Sequence, residues 1–567
     1  MTKTIIYQVL PRLFGNANRA PVKNGTITEN GSGKFSDFTP MVLAGIKKLG
    51  ITHIWYTGVI EHATCTDYTK HNIRKDHQAI VKGRAGSPYA IKDYYDVDPD
   101  LADHVPNRLH EFEVLIERTH QAGMKVIIDF VPNHVARQYY SDSKPAHIQD
   151  LGQNDNPSKA FDPNNNFYYL PEQTLTLPFG TKPYDSEYSE FPAKATGNDC
   201  FHPHPTENDW YETIKLNYGV DYAGGGTCHF NPVPDTWQKM LDILLFWKAK
   251  GVDGFRCDMA EMVPVEFWHW VIPQVKAGDD TCFIAEVYNP ALYRDYIKRG
   301  CFDYLYDKVG LYDTLRDVIE GKKSTAAITN CWQAVEGIQH RMLYFSENHD
   351  EQRIASDFFA GDGERGFPGL IVAATMYTNP VMIYFGQELG ERGMDEEGFS
   401  GRDGRTTIFD YWSLPCFQRW TINADFDGAW MEDKQKTLYQ SYMKLLQIVG
   451  SEPAIANGRF YDLMYTNKHL STNGNRLYIY LRAFEQEVIL IVVNFNNDEQ
   501  TVHIMIPPEA FQLLHIPDNH AAKLTDLCTG NQSISALTIA CPYRITVPAY
   551  SGKILKFDYN EKPQIHL

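Results

Sequence analysis

Four polar clusters close short apolar runs, and their residue types suit proton transfer and nucleophilic attack. They are Asp129-Phe-Val-Pro-Asn133-His134, Gly254-Phe-Arg256-Cys-Asp258, Ala285-Glu286-Val-Tyr288 and Phe345-Ser-Glu-Asn348-His349-Asp350. Arg256 and Asp258 are two residues apart, so on a strand they face the same side. A guanidinium there favours the ionised carboxylate that a nucleophile needs. Glu286 follows an apolar run, where partial burial helps a carboxyl keep a proton for a leaving oxygen. Side chains on neighbouring strands lie about 4.8 Å apart, close to the roughly 5–5.5 Å between the two carboxylates of retaining glycosidases. Asp350 supplies a third carboxylate for an oxocarbenium-like state, and His134 and His349 can donate hydrogen bonds to hydroxyls. Zinc ligation by these histidines lacks matching third and fourth ligands. Each cluster alone also reads plainly: Asp258-Met-Ala-Glu261 as a capping box, Asp350 as a helix N-cap, Glu286 as a solvated strand end. Four at one end of successive strands favour a site.

The elements that would position them alternate. Strands are expected at Thr4–Leu10, Ile51–Tyr56, Met124–Phe130, Val252–Cys257, Thr281–Glu286, Phe302–Tyr306, Met342–Ser346 and Val381–Phe385. Helical periods lie between them at Phe38–Leu49, Arg108–Ala122, Thr236–Ala249, Glu266–Val275, Tyr312–Ile319 and Lys436–Ile448. This order predicts an α/β fold, a parallel (β/α)8 TIM barrel, whose active sites gather at the C-terminal strand ends. A doubly wound open sheet is the competing arrangement. Residues 134–215 lack helical period and are rich in Asn, Asp, Pro and Tyr, which predicts a domain inserted after the third strand. The barrel is then expected over 1–133 and 216–450. Alternating runs from residue 451 to 567, such as Arg476–Arg482 and Glu487–Asn494, predict a C-terminal antiparallel β-sandwich.

Composition narrows the partners. A net charge of −18 with no basic stripe argues against nucleic acid. No apolar run reaches membrane-spanning length, and the first residues read as a strand rather than a signal peptide. Ten scattered cysteines without a Cys-x-x-Cys pair suit reduced thiols and a cytoplasmic location. The oligomeric state is not legible.

In their order, these motifs resemble the α-amylase family, glycoside hydrolase family 13, along nearly the whole chain. Lys215-Leu216-Asn217 is similar to the family's short motif closing the inserted domain, and Tyr89-Ala-Ile-Lys-Asp93-Tyr94 to its Tyr-x-x-x-Asp segment. The resemblance implies domains A, B and C, with Asp258 as nucleophile, Glu286 as general acid/base and Asp350 as transition-state stabiliser. It implies Tyr89, Asp93, His134, Arg256, His349 and Arg353 as substrate-binding residues, with Tyr89 stacking on the sugar. The chemistry requires no cofactor. Asn133 matches a calcium-binding position of many members, and bonding the backbone of the insertion is its equal alternative. The departures are Glu261 and Met262, where many α-amylases carry a Lys-His pair on the leaving-group side, and Pro88 in place of a Gly.

The function implied is retaining hydrolysis of α-1,4-linked maltooligosaccharides or starch-derived glucans. A transglycosidase or trehalose-forming isomerase is the alternative within the same chemistry, and a non-catalytic binding subunit is a remote one. Gly401–Trp412 resembles a substrate-side loop of oligosaccharide-acting members. Tyr139, Tyr140, Tyr168, Tyr169 and Trp210 are candidates for either subsites or the small core of the insertion.

Overall fold

The computed structural model describes residues 2–177, 187–421, 430–471 and 476–560; parts of the expected insertion, barrel and C-terminal domain lie outside these. Eight parallel strands close on themselves: β1 (Ile5–Val9), β2 (His53–Tyr56), β3 (Lys125–Phe130), β4 (Gly254–Cys257), β5 (Cys282–Ala285), β6 (Tyr304–Tyr306), β7 (Met342–Phe345) and β8 (Val381–Tyr384). β1 pairs with both β2 and β8, so the sheet has no edge and the open-sheet alternative is excluded.

Period-two alternation sorts the strand residues. Ile6, Trp55, Ile127, Ile284, Leu343 and Met382 point inward as an apolar plug. Their neighbours, among them Ile128, Phe130, Phe255 and Phe283, join the larger core under the helices. Two residues further along, the inward column turns polar: Gln8 above Ile6, Asp129 above Ile127, Arg256 above Gly254, Glu286 above Ile284. An apolar floor under a polar layer is what a catalytic pocket in this fold requires.

Helices follow the strands where the periodicity predicts them, for example Pro40–Lys48, capped by Thr39, and Asp235–Ala249, which buries Trp237, Met240, Leu244 and Trp247. Further helices escape the periodicity, among them Tyr293–Lys298 and Phe367–Thr375. The second is apolar on every side because the C-terminal sheet covers the face that would otherwise meet water, so it carries no amphipathic stripe.

Between β3 and the helix at Asp235 the chain leaves the barrel. His134–Ala136 pairs antiparallel with Thr213–Lys215, closing the excursion at its root. After the helix Asp433–Ser451, a six-stranded antiparallel sheet forms around Leu477–Phe484, Glu487–Asn494 and Ser551–Asp558, with a two-stranded sheet beside it (Gln500–Ile504 with Tyr543–Val547). All ten cysteines are free thiols, and no helix among the described residues is long and apolar enough to cross a membrane.

Candidate active site

The parallel register sets the chemistry. Arg256 pairs with Asp129 on one side and Ile284 on the other, and Cys257 with Ala285, so residues 258 and 286 leave adjacent strands side by side. The fully buried Arg256 guanidinium ties them together. Its Nη1 donates to Asp258 Oδ1 at 2.7 Å, while Nη2 lies 2.8 Å from Glu286 Oε2 in an ion pair not aligned as a hydrogen bond. Nε donates to Tyr306 Oη at 3.3 Å. Burial holds the Asp258 carboxyl well above its ordinary range, with Arg256 opposing that rise and the neighbouring Glu286 adding to it.

Glu286 accepts at both oxygens. The Met259 backbone N–H donates to Oε2 at 2.7 Å and the Tyr288 hydroxyl to Oε1 at 2.5 Å. Met259 adopts a left-handed conformation (φ 41°, ψ 43°), uncommon for a residue with a side chain.

Asp350 sits across the cavity on the loop after β7, its side chain 41% exposed, with Oδ2 3.1 Å from His349 Nε2. Burial opposes its ionisation, but His349, Arg256 and Arg405 bring it down to about 2. Gln8 Nε2 lies 2.7 Å from His349 Nδ1; with Gln8 donating, the ring proton sits on Nε2, toward Asp350 and the Tyr89 hydroxyl at 2.6 Å. Tyr89 stacks on His349 at 5.2 Å, and its hydroxyl donates to Asp129 at 3.3 Å. Trp55 Nε1 also donates to Asp129, at 3.0 Å. His134 is held neutral, its pKa pushed down to about 3 by burial and by Lys215 and Lys82.

A cavity of about 260 Å³ opens here, lined by Tyr89, His134, Asp258, Glu286 and Asp350 among the residues expected from the sequence. Arg256 and His349 lie directly behind its wall. Asp93 and Arg353 do not reach it, which corrects their assignment to substrate. Asp93 is fully buried and accepts from Ser141 Oγ (2.6 Å), Ser143 N (3.0 Å) and Tyr95 N (2.8 Å), pinning the insertion to the barrel. Arg353 is also fully buried; it binds Glu347, Thr406 Oγ1 and the Phe385 carbonyl, and its guanidinium stacks on Tyr384 at 4.0 Å. Both positions share a motif with a site residue but point away from the cavity.

The surroundings of Asn133 do not fit calcium. Its Oδ1, the atom a cation would need, accepts from the Lys215 ammonium at 2.7 Å, and Nδ2 donates to the Gly197 carbonyl at 2.7 Å. Lys215 is buried and also pairs with Asp199 at 2.6 Å. A fixed ammonium among these donors repels a divalent ion. Asn133 therefore bonds the insertion's backbone.

Of the five candidate aromatics in the insertion, only Trp210 lines the cavity, stacked obliquely on His134 at 5.1 Å. Tyr168 and Tyr169 are buried, Tyr139 packs half-buried against the core, and the exposed Tyr140 stacks with Arg74. Lys82 and Glu212, paired at 3.0 Å, and Thr213 also line the wall though no motif revealed them, and Met259 beside the nucleophile, Ile408 and Phe409 complete it. Ile408 and Phe409 come from the Gly401–Trp412 loop. Lys82 and Glu212 carry no local signal, because only the docking of the insertion brings them together. Glu261, the departure after the nucleophile, accepts from Tyr288 N (3.2 Å) and Asn289 N (2.9 Å), bracing the β4 loop against the β5 loop.

Comparison with known proteins places this arrangement. A family model described as the catalytic domain of alpha amylase matches residues 8–289. "Alpha-amylase 3" of Dictyoglomus thermophilum is 24% identical over 465 residues, covering 77% of this chain and 79% of the relative. "Neopullulanase 2" of Thermoactinomyces vulgaris is 20% identical over 573 residues, covering 98% and 77%. Among solved structures, the α-amylase of Geobacillus thermoleovorans, complexed with acarbose, superposes with a TM-score of 0.64 at 18% identity, covering 98% of this chain and 99% of that one.

Proposed function

The chain belongs to the α-amylase family of glycoside hydrolases, and on that footing we propose that it is a retaining hydrolase of α-1,4-linked maltooligosaccharides or starch-derived glucans. The observation that carries this reading is the single guanidinium of Arg256 holding Asp258 Oδ1 at 2.7 Å and Glu286 Oε2 at 2.8 Å. Holding both carboxylates on one side chain brings a nucleophile and an acid/base together at the same end of the cavity, which supports double displacement.

Asp258 attacks the anomeric carbon as Glu286 protonates the leaving oxygen, forming a covalent glycosyl ester. Glu286, now ionised, takes a proton from water, and the hydroxide so generated releases the sugar from Asp258. Asp350, ionised across the cavity, stabilises the positive charge on the sugar in both steps. Tyr89 offers a ring face for the sugar, and neutral His134 a donor for its hydroxyls. The acarbose carried by the Geobacillus relative supports an α-glucan as substrate.

The test is a product time course on maltoheptaose. Shorter maltooligosaccharides are expected, and Asp258→Asn or Glu286→Gln should slow turnover about 10⁴-fold or more. Products longer than the substrate would point to glucanosyl transfer instead. Unchanged turnover in either variant would remove these carboxylates from the chemistry.

A further inference from the structure

Tyr288 follows the acid/base by two residues, so it faces the same side of the chain and lines the same cavity. Its hydroxyl donates to Glu286 Oε1 at 2.5 Å, and the carboxylate's other oxygen is already engaged by the Met259 N–H and the Arg256 guanidinium. The loops are built to maintain this grip: Met259 holds its left-handed turn, and Glu261 Oε2 accepts from the Tyr288 and Asn289 amides. The proton on Glu286 must therefore reside on Oε1. Oε2 faces an N–H and a permanent cation, both of which would be repelled by an added proton.

We propose that Tyr288 is a positioning residue for the general acid: its hydroxyl aims Oε1 at the leaving oxygen and stabilises the carboxylate as it forms. The inference rests on the assignment of Glu286 as acid/base. In the first step the bond from the anomeric carbon to the leaving oxygen breaks and a bond to Asp258 forms. The Oε1 proton passes to the leaving oxygen. Tyr288 keeps its own proton throughout, and its hydrogen bond strengthens because Oε1 gains negative charge as that proton departs. An interaction stronger in the transition state than in the ground state accelerates the step.

Such a role depends on how much protonation the leaving group requires. Tyr288→Phe keeps the ring and its packing while deleting the donor. It should lower kcat/KM on maltooligosaccharides about tenfold to a hundredfold. On an α-maltosyl fluoride, whose leaving group needs no strong acid, the loss should be far smaller. The hydroxyl favours the ionised carboxylate, so its removal should also move the basic limb of the pH–rate profile upward on maltooligosaccharides. Equal losses on both substrates, or an unmoved basic limb, would reduce Tyr288 to a packing residue and overturn the proposal. If instead the unmodified protein turned over neither substrate, the proposed function would fail, whatever Tyr288→Phe does.

Discussion

The two appended regions hold the barrel in opposite ways. The insertion after β3 meets it through charged side chains, Lys215 donating to Asn133 and Lys82 pairing with Glu212, and is itself braced by Lys215 with Asp199 and by Arg137 with Glu190 at 2.9 Å. The C-terminal sheet, besides hydrogen bonds such as Thr329 Oγ1 and Trp332 Nε1 donating to Asp462, is held by one fully buried cation that has no acidic partner among the described residues. Arg482 donates to the carbonyls of Thr375, Met376, Ile455 and Gly458, at 3.1, 2.6, 3.0 and 2.8 Å. Two of those carbonyls end the helix Phe367–Thr375, whose last turn also receives Lys3. A cation at a helix C-terminus meets unpaired carbonyls and the negative end of the dipole.

This contrast separates function from support. One of the insertion's charged pairs, Lys82 with Glu212, stands at the cavity wall, where Trp210 and Thr213 also reach the substrate space. The anchors of the C-terminal sheet lie on the outer helices, and none of its described residues lines the cavity. Loosening the first should be read in catalysis, and loosening the second in stability.

The sharpest way to break that distinction is Lys215→Met, which strands the Asp199 carboxylate and frees Asn133 Oδ1. Displacement of His134 and its neighbours should lower kcat/KM about 10²-fold, with a modest change in Tm. Arg482→Met, which strips a donor from four carbonyls, three of them buried, should cost about 2 kcal/mol of stability and leave kcat/KM of the folded protein unchanged. Similar profiles from the two variants, by thermal melts and initial rates, would dissolve the contrast.

A smaller effect sharpens it. Burial pushes the Asp93 carboxyl up to about 6, above its ordinary aspartate value of 3.8. The folded state then binds the proton more tightly than the unfolded one. Its contribution to stability is full below about pH 4 and is lost as pH rises through 6. Corrected amide exchange around residues 138–150 should therefore be faster at pH 8 than at pH 5, and Asp93→Asn should abolish the difference. Exchange across the Leu477–Asn494 hairpin should show no such step. The smallest expected effect is none: because Lys215 takes the oxygen a metal would use, a chelator should leave initial rates and Tm unchanged.

Legibility followed the range of the physical signal. The eight barrel strands are readable because β-branched and apolar runs of strand length recur between helical periods. Asp258, Arg256 and Glu286 are readable because a period of two on adjacent strands fixes which side each faces. Arg353 and Asp93 mislead because motif membership says nothing about the direction a loop side chain takes. Arg353 lies only three residues beyond Asp350, yet it turns inward onto Glu347 while Asp350 faces the cavity.

Residue order alone thus carries the barrel, its interruption after the third strand, and the carboxylates at the strand ends, since these rest on local alternation and spacing. Packing settled the rest. Lys215 rather than a metal meets Asn133, Lys82 finds Glu212 across 130 positions of sequence, and the Arg256 guanidinium reaches Glu286 on the neighbouring strand's end. Each of these depends on charges brought together from distant segments inside a low-dielectric interior. There a partner is chosen by position in space, and no periodicity along the chain records the choice.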